Sequence, residues 1–225
     1  MGRAWVSGWV VLHGSPRTVA EPWGLRIEVG APGHLVRHVL LDADDATIRA
    51  LAGSVTVPTT SIKGFMESEE LACLLTPDWT PDPPGFLMTA NLHAGETRIA
   101  GDYRLTVEHA RGITCARVVT GDGSLAARGQ VAVTGETCVF DQVDTAPEHR
   151  RRGLGSAVMT ALTTSAIDQG TATGILNATA QGRALYETLS WKVIGPLSSF
   201  VYKRAPAPPL AEVDTPWVQQ RSGRR

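Results

Sequence analysis

The stretch "APEHRRRGLGSAVMTAL" at residues 146–162 constrains the fold more than any other segment, because it joins a strand to a helix. The preceding "TCVFDQVDT" is rich in β-branched residues and predicts the strand. Small and apolar residues then recur at helical spacing, namely Leu154, Ala157, Val158, Ala161, Leu162, Ser165 and Ala166. A helix that starts near Gly153 leaves backbone N–H groups unpaired at the positive end of its dipole. The junction therefore predicts an α/β chain with an anion-binding loop.

The composition of this loop indicates which anion it binds. Gly153-x-Gly155 removes Cβ atoms that would hold a diphosphate away from the amides, and Arg150–Arg152 adds charge and bidentate donors. A phosphate-loop nucleotide site would need the pattern G-x-x-x-x-G-K-S/T, whose lysine is missing. A Rossmann loop would need glycine where Val158 stands. The loop therefore predicts a pyrophosphate site of another kind. The competing interpretation of the arginines is a solvated basic patch or a nucleic-acid contact.

The region 101–204 predicts the element order β-β-β-α-β-α-β-β. The segments "ITCARVVT", "LAARGQVAVTG" and "TCVFDQVDT" indicate an antiparallel meander with glycine-containing turns. After the helix come a strand in "TGILNAT", a second helix in "GRALYETL" and two closing strands in "WKVIGPLSSFVYKR". We expect a mixed α/β sheet.

The first hundred residues are harder to interpret. Residues 1 to about 24 are rich in tryptophan and are expected to pack across the surface as an arm. Strands are expected in "LRIEV" and "RHVLL", helices in "DDATIRALAG" and "SEELACLL", and a loop in "TPDWTPDPPG", whose prolines disfavour a helix or a central strand. The chain thus divides into an N-terminal α/β segment (1–100), a core (101–204) and a flexible proline-rich tail (205–225).

Charge and cysteine content exclude several classes of partner. Lys and Arg total 21 against 22 Asp and Glu, so no net field recruits nucleic acid or an anionic membrane. No apolar run is long enough to span a membrane. The cysteines (Cys73, Cys115, Cys138) are odd in number and, like the histidines, lack metal-ligand spacing, which predicts no metal site and a cytoplasmic protein.

The loop and its surroundings resemble a known family. "RRRGLG" at Arg150–Gly155, between strand and helix, resembles the pyrophosphate loop of the GNAT superfamily of acyl-CoA-dependent N-acetyltransferases. The later "ATAQGRALYETLSW" resembles that family's second signature, which carries a tyrosine in the helix after the fifth strand; here Ser190 replaces the usual glycine, and Thr179 stands where many members have asparagine. The resemblance covers about residues 101–204. It implies a GNAT-like core with splayed central strands and acetyl-CoA as the cosubstrate.

The resemblance also implies roles for individual residues. The strand before the loop would offer backbone groups to the pantetheine arm at Val143, Asp144 and Thr145, with the Val143 N–H holding the oxyanion. Tyr186 would be the general acid that protonates the departing thiolate, although without the resemblance a packing role would be favoured. The pyrophosphate would be held by amides at Arg151, Arg152, Gly153, Leu154, Gly155 and Ser156 and by the arginine side chains, including that of Arg150.

An amine acceptor is mostly protonated at neutral pH and must lose a proton before it attacks. We expect Asp141 to be the base, since strand alternation places it on the same face as Val143 and Thr145. Glu136 and Glu108 are weaker alternatives, and pairing with an arginine is the competing role for Asp141. Cys138 alternates to the opposite face and has no histidine nearby in sequence, so we expect a core residue and not a nucleophile.

Three functions from different classes stay open. The first is acetylation of a primary amine on a small molecule; the second is acetylation of a protein lysine or N-terminus, which would need an open groove; the third is a non-catalytic acyl-CoA sensor. The N-terminal segment is expected either to be an incomplete copy of the same fold or, preferably, to cap the acceptor site with helices from residues 43–75. A homodimer is compatible with the resemblance.

Overall fold

The computed structural model describes residues 1–15, 17–31, 33–99 and 101–203 of the chain, so the predicted tail at 205–225 lies outside the described residues. The five helices in this part of the chain are α1 (Gly2–His13), α2 (Asp45–Ser54), α3 (Ser68–Ala72), α4 (Leu154–Asp168) and α5 (Ala180–Thr188). The first six strands are β1 (Arg17–Glu21), β2 (Gly24–Ala31), β3 (His34–Leu40), β4 (Thr60–Gly64), β5 (Trp79–Asn91) and β6 (Arg104–Ala110). The others are β7 (Ile113–Val119), β8 (Leu125–Thr134), β9 (Thr137–Thr145), β10 (Thr173–Ala178) and β11 (Lys192–Tyr202).

All eleven strands form one mixed sheet in the order β1-β2-β3-β4-β11-β5-β10-β9-β8-β7-β6. The meander predicted from the sequence is present as β7, β8 and β9, and the pairs β9/β10 and β3/β4 are parallel. The mixed α/β class is thereby confirmed. β5, from the N-terminal segment, lies between β10 and β11 near the middle of the sheet. The boundary near residue 100 stays a prediction.

Helices cover both faces of the sheet. α4 packs over one face with Cys138 and Phe140 of β9 in its core, whereas α1 packs over the other face against Val139. The contact of α1 is close, because a Cβ on Gly8 would lie 2.4 Å from Val139 Cγ2. The predicted tryptophan-rich arm is therefore a packed helix, whose Trp5 is 3% exposed. No described helix has the length and apolar character needed to cross a membrane.

Three predictions about elements were wrong. "TPDWTPDPPG" is a loop only up to Trp79, where β5 begins. Its prolines are tolerated because the first part of β5 pairs with β11 alone, and β10 joins only from Phe86 onward. The two predicted closing strands are a single strand, β11, in which a bulge leaves Ile194 unpaired just before Gly195. The edge strand β6 was missed, as were β1 and β4.

Candidate active site

The loop between β9 and α4 presents a row of free donors. Arg151 and Gly153 adopt left-handed backbone angles, with φ of 62° and 76°. None of the six amides from Arg151 to Ser156 donates to a backbone carbonyl of a described residue, whereas the next one, of Ala157, bonds to the Gly153 carbonyl at 3.0 Å. α4 has no acidic residue in its first turn and no side-chain cap. These six amides are the ones that the sequence predicts for the pyrophosphate, and the loop fits such an anion.

The arginines of the loop have different surroundings. Arg150 Nε donates to the Thr145 carbonyl at 3.1 Å, which ties the loop to the end of β9. Arg152 Nη1 donates to Tyr103 Oη at 2.8 Å, and the same oxygen lies 3.0 Å from His149 Nδ1. The Arg151 side chain is exposed. Tyr103 therefore positions this loop, a role that its sequence context did not indicate.

The sheet opens beside the loop. β9 and β10 pair in parallel from Thr137/Thr173 up to Phe140/Leu176, and their ladder then ends. Beyond this point β9 remains paired with β8 as far as Thr145, while β10 remains paired with β5. The two strands thus separate in the stretch that contains Asp141 and Val143–Thr145, as the resemblance implied.

A bulge in β9 overturns the predicted placement of Asp141. Pairing with β8 passes from Asp141/Gln130 to Asp144/Arg128, and Gln142 adopts a φ of 52°. Because two residues of β9 face Gly129 alone, alternation is interrupted at Gln142. Val143 packs against the α4 face, whereas Asp141 faces the α1 side. The expectation that Asp141 shares a face with Val143 and Thr145 was therefore wrong.

Tyr186 lies on α5, next to the opening of the sheet, and is 8% exposed. Its ring packs in the α4-side core with its centroid 6.2 Å from that of Trp191. Burial and, to a lesser extent, the charge of Asp141 raise the pKa of Tyr186 to about 12. The phenol therefore keeps its proton at neutral pH, as a general acid requires.

Asp141 is paired with a residue that the sequence did not indicate. Its Oδ2 lies 3.5 Å from His13 Nε2, and its Oδ1 accepts from the Gln142 amide at 2.7 Å. His13 Nδ1 lies 3.0 Å from the Trp9 carbonyl oxygen. Since a carbonyl only accepts, Nδ1 is the donor of that bond and the ring is held with Nε2 towards Asp141.

A cavity of about 300 Å³ lies on the α1 side of the opening. Asp141 and Asn177, the residues that directly follow the last β9/β10 pair, line it. Its wall contains Trp5 and Trp9 from α1, with further residues from β2, β3 and β4. By contrast α2 and α3 pack in a separate core with Leu40 and Ile62. Of residues 43–75, only Lys63 lines the cavity.

The structure separates the weaker candidates from the opening. Glu136 lies in the β8–β9 hairpin, at the far end of β9, and Glu108 lies exposed on the edge strand β6. Cys138 is fully buried under α4. The residues that the sequence analysis missed lie far apart along the chain. The spacing of Trp5 and Trp9, four residues apart, was the one local signal for α1.

Comparisons with known proteins match this description. The model of the acetyltransferase (GNAT) family matches residues 74–191. A GCN5-related N-acetyltransferase from Kribbella flavida has a similar structure, with a TM-score of 0.67 and 14% identity over 91% of this chain and 95% of that one. A GNAT-family acetyltransferase from Novosphingobium aromaticivorans gives a TM-score of 0.56 and 16% identity, over 88% of this chain and 97% of that one. A GCN5-related N-acetyltransferase-like protein from Streptococcus suis gives a TM-score of 0.59 and 10% identity, over 87% of this chain and 92% of that one.

No curated protein matches the sequence. At these identities the structural neighbours establish the fold alone, whereas the family model covers more than half of the chain. The resemblance noted in the sequence is confirmed at the level of the family. The chain belongs to the GNAT family of acetyltransferases.

Proposed function

We propose that this protein is an acetyl-CoA-dependent N-acetyltransferase that acetylates a primary amine of a small molecule by direct attack in a ternary complex. One observation carries the proposal: the opening between β9 and β10 has the unpaired loop amides on one side and a walled cavity on the other. Two substrates can therefore approach the same gap from opposite faces, and no covalent intermediate on the protein is needed.

The loop is suited to the diphosphate of the cosubstrate. Acetyl-CoA supplies the acetyl group as a thioester. The amides of Arg151–Ser156 donate to the diphosphate, and the exposed Arg151 side chain adds positive charge. Gly155 carries no Cβ, which lets the start of α4 lie close to Leu185 of α5. Backbone groups of Val143, Asp144 and Thr145 border the opening and hold the pantetheine arm.

The side chains at the opening can move the protons of the reaction. The amine nitrogen forms the new C–N bond as the thioester C–S bond breaks. Tyr186 gives its phenolic proton to the departing thiolate, and Asp141 accepts the proton that the amine loses. The Val143 N–H, in the bulge of β9, holds the oxyanion. His13 Nε2 lies 3.5 Å from the Asp141 carboxylate and can take over the proton that Asp141 accepts.

The state of the cysteines supports direct transfer of the acetyl group and a cytoplasmic location. Burial raises the pKa of Cys138 to about 12, so this residue stays a thiol at neutral pH and is a poor nucleophile. The other two cysteines are also free, which fits a reducing compartment.

The cavity favours a small acceptor over a polypeptide. A space of about 300 Å³ bounded by α1 and strands holds a compact molecule, whereas a lysine on a protein would need an open groove. The test is release of free CoA thiol by the purified protein, with acetyl-CoA and either small primary amines or lysine-containing peptides. We expect release with a small amine. Preference for peptides would overturn the acceptor class, and acetyl-CoA binding without release would identify a sensor.

A further inference from the structure

The cavity described above is lined by charged side chains of both signs. Asp141, with Asn177 beside it, lies at the opening of the sheet. Two cationic side chains in the lining, Arg37 and Lys63, come from β3 and β4. The β3/β4 register pairs Lys63 with Val39, so Lys63 and Arg37 are diagonal neighbours on one face.

Arg37 is buried without a partner. It is 9% exposed, and its guanidinium lies over the Trp9 ring at 4.2 Å from the ring centroid. Its Nε is buried and has no hydrogen-bond partner among the described residues, and no described carboxylate forms an ion pair with it. Burial lowers the pKa of Arg37 to about 10, so it remains charged at neutral pH. A buried cation of this kind is stabilised by an anion in the cavity.

Lys63 adds a second positive charge beside it. Burial and the neighbouring Arg37 lower the pKa of Lys63 to about 8, against the opposing influence of Asp82 and Asp141. These carboxylates have other partners: Asp141 faces His13, and Asp82 accepts from Ser199 Oγ at 3.4 Å. Neither forms an ion pair with Lys63 or Arg37, so the two cations are not neutralised by contact.

The remaining lining is largely apolar. It is formed by Trp5 and Trp9 of α1 and by Val29 and Ala31 of β2. The titratable His13 and His34 also line the cavity. A ligand that matches this lining carries an amine, an anionic group and an apolar side chain.

We infer that the acceptor is a zwitterionic, amino-acid-like amine, whose carboxylate binds Arg37 and Lys63 while its amine lies beside Asp141. This inference rests on the proposed function and names the substrate class for the same site. A carboxylate suits the planar fork of Arg37, with which it can form two parallel hydrogen bonds. A polyamine would bring a second positive charge to Arg37 and Lys63 and is disfavoured.

The kinetic test compares matched acceptors that differ only in the anionic group. Amino acids with apolar side chains and their carboxamides are each assayed with saturating acetyl-CoA. We expect kcat/KM for the acid to exceed that for the carboxamide by about tenfold or more, since a charge-assisted hydrogen bond is lost in the amide. In Lys63→Met the ratio should fall towards one, whereas Lys63→Arg should keep most of it. Equal rates for acid and amide, or faster acetylation of a polyamine, would overturn the inference.

A binding measurement without turnover separates this inference from the proposed function. Trp5 and Trp9 line the cavity, so tryptophan fluorescence reports on a ligand there. An N-acetylated amino acid should bind the wild-type protein at least about tenfold tighter than its carboxamide, and Lys63→Met and Arg37→Met should remove the difference. If the protein binds the acid more tightly than the carboxamide but releases no CoA thiol, the carboxylate site is supported and the proposed function is overturned. If it releases thiol but binds the two ligands equally, the proposed function is supported and the carboxylate site is overturned. Lys63→Met decides the matter if Arg37→Met does not fold.

Discussion

At the scale of single residues, the proposed chemistry depends on two side chains from different elements. Tyr186 comes from α5 on the α4 side, and Asp141 comes from β9 on the α1 side. After burial, the negative charge of Asp141 is the second contribution to the raised pKa of Tyr186. An acid and a base on opposite sides of a gap can serve the leaving group and the attacking amine separately.

Replacing Tyr186 with Phe removes the proposed acid and keeps the buried ring. We expect kcat to fall about 100-fold or more, with little change in acetyl-CoA affinity, because general acid catalysis acts in the transition state. Steady-state kinetics and calorimetry measure the two quantities. Since the pKa of Tyr186 is about 12, the wild-type rate should show no decline from phenol ionisation below about pH 10. Unchanged kcat in the variant would remove the assigned role.

Replacing Asp141 with Asn removes the proposed base. We expect kcat/KM at pH 7 to fall by about 10- to 100-fold and to recover partly above pH 9, where more of the amine is already neutral. The pH profile is the readout, because a merely structural defect would not be corrected by alkali. Glu136→Gln, at the far end of β9, is the matched control and should behave as the wild type.

At the scale of elements, we expect the start of α4 to determine whether the cosubstrate can bind. We expect Gly155→Glu to abolish calorimetric binding of acetyl-CoA, because its carboxylate repels the diphosphate and covers the amides. Gly155→Ala is the control: it adds only a Cβ, 3.1 Å from Leu185 Cδ2, and should keep most of the affinity. Binding retained in the Glu variant would mean that the loop is only a basic helix start.

At the scale of the whole molecule, His38 couples stability to pH. Burial and, secondarily, Arg26 lower the pKa of this residue from 6.5 to about 4. The unfolded chain therefore binds more protons between these values, so the free energy of unfolding falls as the pH drops from about 6.5 to 4, by at most about 3 kcal/mol. Urea unfolding at pH 7.5 and 5 should show a smaller loss for His38→Leu than for the wild type. The exposed His93→Gln should leave the loss unchanged.

Local patterns were enough for the part of the chain that carries the family signature. β9, the helix start at Gly153 and the helix with Tyr186 all depend on neighbours along the chain, through β-branched residues, helical periodicity and glycine. The amides of Arg151–Ser156 could be named for the same reason, because a helix start leaves its first N–H groups unpaired whatever surrounds it.

Tertiary structure decided the rest. The bulge at Gln142 turned Val143 to the α4 face, away from the face of Asp141. Opposite this bulge α4 packs closely on Gly129, where an added Cβ would lie 2.7 Å from Val158 Cγ1. The prolines of β5 are accommodated because β10 does not pair with that part of the strand. No local sequence pattern predicts which neighbour a strand lacks. The cavity combines α1 with β3, β4 and the end of β9, whose residues meet only when the sheet is assembled. The sequence alone therefore determined the family and the loop, while packing between distant segments decided the surroundings of Asp141 and the shape and charge of the cavity.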